Sequence, residues 1–147
     1  MHLLIMRHGE ALSGVSDFDR PLSPRGLDDI RSIASRLGDR GTTIDKILCS
    51  PLRRTRQTAE LINNFSYCNV TVDLCHALAP GADCEGVVKK LKSKRADTLL
   101  LVSHQPLVGN IIHYLTREIL SITVGMVACI KLKSFNPYGG ELKWVIQ

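Results

Sequence analysis

Two short apolar runs, each leading straight into a histidine, constrain this chain more than any other feature. The first is His2-Leu-Leu-Ile-Met-Arg7, followed by His8-Gly9-Glu10. The second is Thr98-Leu-Leu-Leu-Val-Ser103, followed by His104-Gln105-Pro106. Neither run alternates apolar with polar residues, so both faces of each need covering, as in a parallel strand sandwiched between helices. Open α/β sheets bind ligands beyond the carboxyl ends of their strands. Both imidazoles therefore fall at the functional edge. With arginines beside them, they point to a histidine nucleophile acting on a phosphoryl group. The bland alternative is a pair of unrelated loop histidines.

The segments between these runs fit the same architecture. Residues 9–22 form a polar loop, and Ser23-Pro24 opens a helix with Ser as the cap and Pro at the first helical position. Leu27, Ile30, Ile33, Ala34 and Leu37 recur at helical spacing, and Gly38 or Gly41 ends the helix. Residues 44–49 read as a second strand. Ser50-Pro51 reads as a second capped start, for a helix reaching about Asn64. Residues 70–74 give a short strand, 83–95 a helix, and Pro106 starts a helix to about Glu118. Residues 122–135 and 141–146 alternate apolar and polar around Asn136-Pro-Tyr-Gly-Gly140, which is the pattern of a hairpin or antiparallel edge. The expected fold is a single α/β domain spanning residues 1–147: a three-layer α/β/α sandwich, mostly parallel, with an antiparallel C-terminal edge.

A length of 147 residues suffices for one core. The net charge of +5 suits an anionic substrate without pointing to nucleic acid. The run Lys89–Arg95 has no interleaved aromatics and reads as a solvated helix end. Five cysteines form no CxxC pair and no metal-ligand spacing, so free thiols in a reducing compartment are expected. The apolar stretch at residues 3–6 is too short for a signal h-region or a membrane span. A cytoplasmic location follows as the expectation, with no membrane partner.

Three motifs in order carry a family resemblance: Arg7-His8-Gly9-Glu10, Ser50-Pro51-Leu52-Arg53-Arg54-Thr55-Arg56-Gln57-Thr58, and Ser103-His104. Together they resemble the histidine phosphatase superfamily, the phosphoglycerate-mutase-like proteins, over residues 3 to about 115. The tracts Arg20-Pro21-Leu22-Ser23-Pro24-Arg25-Gly26, Leu78-Ala79-Pro80 and Ser103-His104-Gln105-Pro106-Leu107-Val108-Gly109 are similar to the small SixA-type phosphohistidine phosphatases. The resemblance implies that His8 becomes phosphohistidine and that Arg7 and Arg54 clamp the phosphoryl oxygens. His104 donates to the same oxygens. Arg54 is chosen over Arg53 and Arg56 because the pattern S-P-x-x-R-x-x-x-T places its arginine fifth and its threonine, Thr58, ninth. Gly9, Glu10, Ser13 and Arg20 are the substrate-binding candidates. Glu10 serves equally well as a loop brace, and Arg20 as a solvated residue. His2, His76 and His113 are not expected to be catalytic. No metal and no cofactor are implied, because cationic side chains supply the charge.

Independent chemistry agrees with these roles. A neutral imidazole nitrogen is nucleophilic at pH 7 provided its other nitrogen is held as N–H, and the Gly9 carbonyl is a natural acceptor. Phosphoryl transfer then depends on positioning and on stabilising charge on the equatorial oxygens, which planar guanidinium groups suit. Larger relatives carry a glutamate acid and a substrate cap where this chain has only His76-Ala77-Leu78, although Asp83 or Glu85 could still serve as the acid. An alkoxide leaving group needs such an acid more than an imidazole does. Phosphohistidine on a phosphorelay or phosphocarrier protein is thus the expected substrate, and the chain is expected to be a monomer. A small-molecule phosphomonoesterase is the alternative, and a silent phosphoprotein-binding module the third reading.

Overall fold

The computed structural model describes all 147 residues. Its elements in chain order are β1 (His2–Arg7), α1 (Pro24–Asp39), β2 (Lys46–Cys49), α2 (Arg53–Phe65), β3 (Val72–Leu74), α3 (Cys84–Leu91), β4 (Thr98–Ser103), α4 (Leu107–Thr116), β5 (Val127–Leu132) and β6 (Gly140–Ile146). Single 3₁₀ turns lie at Asp17–Asp19 and His76–Leu78. The sheet order is β3-β2-β4-β1-β5-β6. Strands β1 to β4 are parallel, while β5 and β6 run antiparallel along one edge. This is the expected mostly parallel sheet with an antiparallel C-terminal edge.

The two apolar runs occupy the middle of the sheet and serve both faces in alternation. Leu3, Ile5, Leu99 and Leu101 join a core built from α3 and α4. Leu4, Met6, Leu100 and Val102 join the opposite core, with Ile30, Ile33, Ala34 and Leu37 of α1 and Ile62 of α2. All eight strand residues are fully buried. At about 1.5–3 kcal/mol per buried aliphatic side chain, these two strands hold the layers together and leave β1 and β4 little freedom to slip.

That packing creates a crevice. β1 leads toward α1 on one face and β4 leads into α4 on the other, so the chain diverges beyond their carboxyl ends. The register pairs Arg7 with Ser103, and the His8 N–H donates to the Ser103 carbonyl at 3.1 Å. His8 and His104 therefore emerge side by side.

Several local expectations are corrected. Ser50 does not cap α2; the helix begins at Arg53 with Leu52 at the cap position and no side-chain cap. Pro51 lies outside that helix, and Pro106 stands just before α4 rather than inside it. The 83–95 helix stops at Leu91, and the 106–118 helix at Thr116. Residues 122–126 alternate like a strand but are not one. The Ile122 carbonyl accepts from Arg7 Nη1 at 2.9 Å, and the Gly125 N–H lies 3.1 and 3.0 Å from the Arg7 and His8 carbonyls. Gly125 adopts φ +76°, which turns the chain before β5 begins at Val127.

Candidate active site

A pocket of about 340 Å³ opens at the β1/β4 crevice and is lined by Arg7, His8, Glu10, Arg20, Arg54 and His104, among others. The four residues expected to do chemistry meet there. The His8 and His104 rings lie 5.1 Å apart between centroids, tilted by 60°. His8, Arg54 and His104 are only 8, 5 and 3% exposed. These polar groups are thus held by the protein rather than by water.

The tautomer of His8 follows from its partners. Nδ1 lies 2.7 Å from the Gly9 carbonyl, which can only accept, so Nδ1 carries the proton. Nε2 is then a bare lone pair, and Arg54 Nε–H donates to it at 3.2 Å. Gly9 itself is held by its N–H donating to Thr58 Oγ1 at 3.1 Å. Its lack of a side chain matters for packing: a Cβ there would stand 2.8 Å from Ile30 Cγ1 and 3.2 Å from Leu22 Cδ2. The missing side chain at Gly9 thus permits the close approach of α1 and of Leu22.

Burial pushes the His8 pKa down to about 4, and Arg54, Arg7 and Arg20 reinforce the shift against the opposing Gly9 hydrogen bond. Burial likewise lowers His104 to about 3, helped by His8 and Arg54. Both rings are therefore neutral at pH 7. Two buried nitrogens at the site, Arg7 Nε and His104 Nδ1, have no hydrogen-bond partner. Buried polar nitrogens are rarely left so, and an oxyanion is the partner that the Arg7 Nε–H fits.

Sequence reading missed two participants. Asp17 accepts from Arg54 Nη1 through its backbone carbonyl at 2.7 Å, and its carboxylate stands 3.4 Å from Arg54 and 3.3 Å from Arg20. Partial desolvation raises its pKa, but Arg54 and Arg20 together outweigh this and hold the carboxyl below the ordinary range. Ser50, fully buried, lies with Oγ 2.8 Å from His104 Nε2. Neither has a local signature, because the partners sit 37 and 54 residues away.

The weaker candidates divide. Arg20 lines the pocket, with Nε donating to the Leu12 carbonyl at 2.7 Å. Glu10 also lines it, yet its carboxylate accepts from the Ser23 hydroxyl at 2.6 Å, so it braces the loop against the α1 cap. Gly26 permits that brace, since a Cβ there would collide with the Glu10 carbonyl oxygen. Ser13 is exposed, lies outside the pocket and is not brought to the site. Asp83 caps α3 by accepting from the Gly86 N–H at 2.6 Å, and neither it nor Glu85 reaches the pocket. No group of three or more His, Cys, Asp or Glu side chains is placed to hold a metal ion.

Comparison with known proteins gives the same answer as the geometry. The family model of the histidine phosphatase superfamily (branch 1) matches residues 3–78. The phosphohistidine phosphatase SixA of Escherichia coli (strain K12) is 32% identical over 116 residues, which covers 76% of this chain and 72% of that protein. The mitochondrial serine/threonine-protein phosphatase Pgam5 of Drosophila grimshawi is 35% identical over 83 residues, 55% of this chain but only 29% of its own. The solved structure of the protein histidine phosphatase SixA complexed with tungstate superposes with a TM-score of 0.91 at 30% identity, covering 100% of this chain and 97% of that one. The chain belongs to the histidine phosphatase superfamily.

Proposed function

We propose that this protein is a phosphohistidine phosphatase that works through a phospho-His8 intermediate. The observation that carries the reading is the unprotonated His8 Nε2, which accepts from Arg54 and shares its pocket with Arg7 and His104. In the first step Nε2 attacks phosphorus, the bond from phosphorus to the substrate's imidazole nitrogen breaks, and a new N–P bond forms on His8. Arg54 exchanges its bond to Nε2 for one to a phosphoryl oxygen, and Arg7 and His104 donate to the others. Water then attacks phospho-His8, releasing phosphate and returning the neutral ring. Arginine forks supply the charge stabilisation such a transfer requires.

The substrate class rests on what surrounds the nucleophile. A sugar or serine alkoxide leaves well only when an acid protonates it, a contribution of ~10²–10⁴-fold. Here Glu10 is tied to Ser23, Asp17 is held ionised by arginines, and Asp83 caps a helix. An imidazole whose distal nitrogen is protonated departs neutral and needs no enzyme acid. Val124 lines the pocket as an exposed apolar side chain, and Leu12, Val15 and Phe18 are exposed apolar side chains in the same loop as the pocket residues Glu10 and Arg20, better suited to a protein surface than to a sugar. SixA, named as a phosphohistidine phosphatase, supports the same assignment. We further propose that the partner is a phosphorelay or phosphocarrier protein and that the enzyme is monomeric and cytoplasmic. No helix is long and apolar enough to cross a membrane.

The test is a substrate panel: a phosphohistidine phosphocarrier domain, a phosphoserine peptide and sugar phosphates, assayed with EDTA. Turnover of the phosphohistidine protein, with acid-labile label trapped on His8 and none on His8→Ala, is the expected result. Turnover of only the phosphomonoesters would overturn the assignment in favour of a phosphomonoesterase.

A further inference from the structure

Ser50 is absorbed neither by the helix it seemed to cap nor by the phosphoryl clamp, yet it is fully buried against the second histidine. Its hydroxyl has two neighbours. The Leu52 N–H donates to Oγ at 3.4 Å, and His104 Nε2 lies 2.8 Å away. A hydroxyl offers one hydrogen and two lone pairs. With one lone pair facing Leu52, His104 Nε2 is the acceptor within reach of the hydrogen.

Two arrangements are possible, and satisfaction of buried groups decides between them. If His104 carried its proton on Nε2 and donated to Ser50, the Ser50 hydrogen would be buried without an acceptor. The bare lone pair of Nδ1 would then be the group left over, repelling any oxyanion in the pocket. If Ser50 donates to Nε2 instead, every group around Ser50 is paired. The one group left over is an Nδ1–H, a donor, and Nδ1 is the buried atom without a partner. Leaving a buried polar atom unmatched costs more than a hydrogen bond gains, so the second arrangement wins.

We infer that Ser50 is a positioning residue that fixes His104 as the Nδ1–H tautomer, aiming a proton rather than a lone pair at the phosphoryl oxygens. The device matters because His104 is neutral at pH 7 and so owns a single ring proton. It parallels His8, where a carbonyl acceptor selects the same tautomer so that Nε2 stays bare to attack. One histidine is set by an acceptor and the other by a donor. The inference rests on the proposed role of His104 toward the phosphoryl group.

Long-range ¹H–¹⁵N spectra of the ¹⁵N-labelled full-length protein at pH 7 test it directly. Wild type is expected to show His104 protonated at Nδ1, and Ser50→Ala to shift His104 toward the Nε2–H form. Orthovanadate binding, measured directly by titration calorimetry, is expected to weaken ~5–10-fold in Ser50→Ala, the worth of one ordinary hydrogen bond. In a His104→Ala background the same substitution should cost nothing further. A wild-type His104 protonated at Nε2, or an undiminished Ser50→Ala effect without His104, would overturn the inference. Neither readout uses a phosphorylated substrate, so a failure of the phosphohistidine assignment would show only in the substrate panel.

Discussion

Thr58 links the His8 loop to the helix that carries Arg54, and replacing it separates two roles of one atom. Its Oγ1 donates to the Arg54 carbonyl at 2.8 Å and accepts from the Gly9 N–H at 3.1 Å. Thr58→Val keeps the shape and removes both bonds. The Arg54 carbonyl keeps its helical partner, whereas the Gly9 N–H is left buried and unpaired. That orphan costs about 1–3 kcal/mol, or roughly 2–12 °C in Tm for a domain near this size. The Gly9 carbonyl holds His8 Nδ1, so a loosened Gly9 also lets the nucleophile drift. Misplacement of that kind is expected to lower kcat ~10-fold or more. Thr58→Ser removes a fully buried methyl, costing about 1 kcal/mol, yet keeps both bonds and a near-native kcat. Urea unfolding with steady-state kinetics on all three proteins reads both effects. A valine variant as stable as wild type, or valine and serine variants with the same kcat, would refute the reasoning.

Further outcomes follow from the same geometry. Because both histidine pKa values are lowered on folding, the unfolded chain binds more protons between the folded values and 6.5. Stability contributed by these rings is therefore whole above pH 6.5 and is lost as pH falls toward about 4 for His8 and about 3 for His104. Urea midpoints should drop across that window, less so in His8→Ala. The acid limb of kcat/KM should likewise fall near pH 4, where His8 protonates, and a limb at 6.5 would contradict the burial argument. Gly26→Ala drives a Cβ into the Glu10 carbonyl oxygen, a backbone atom. A loss of about 1–3 kcal/mol is expected in thermal unfolding, with reduced phosphoenzyme yield, and an unchanged Tm would be inconsistent with the contact. Asp17→Asn frees Arg54 and Arg20 from a competing anion, so orthovanadate should bind a few-fold more tightly at low salt. Weaker binding would instead assign Asp17 to holding Arg54 in place.

What the sequence displayed and what it hid differ in range. Arg7, His8 and His104 follow strands whose apolar runs announce themselves, and Arg54 sits at a fixed offset within a motif. Their meeting point is then a consequence of parallel pairing. Ser50 was read as a helix cap because Ser-Pro before a helical segment carries that local signature. Its actual partner lies 54 residues away on another strand's loop, and no window of neighbouring residues contains that information. In the sequence Asp17 is one polar residue of a long loop, and the reading selects Ser13, four positions earlier, instead. Only the fold shows which of them faces Arg54. The 122–126 segment failed for a related reason: its alternation was genuine, but its carbonyl and N–H groups are spent on Arg7, His8 and their loop.

The pairing of Arg7 with Ser103 across β1 and β4 has a consequence for how this protein comes into being. The two strands that deliver the histidines are separated by roughly a hundred residues of intervening chain, so closing them carries the entropy of a very long loop. During synthesis the nucleophile leaves the ribosome first and stays inert until β4 arrives to build the other half of the site. The site is therefore incomplete until β1 and β4 pair, and recovery of activity after denaturation requires that central pairing as well as the α2 helix that carries Arg54.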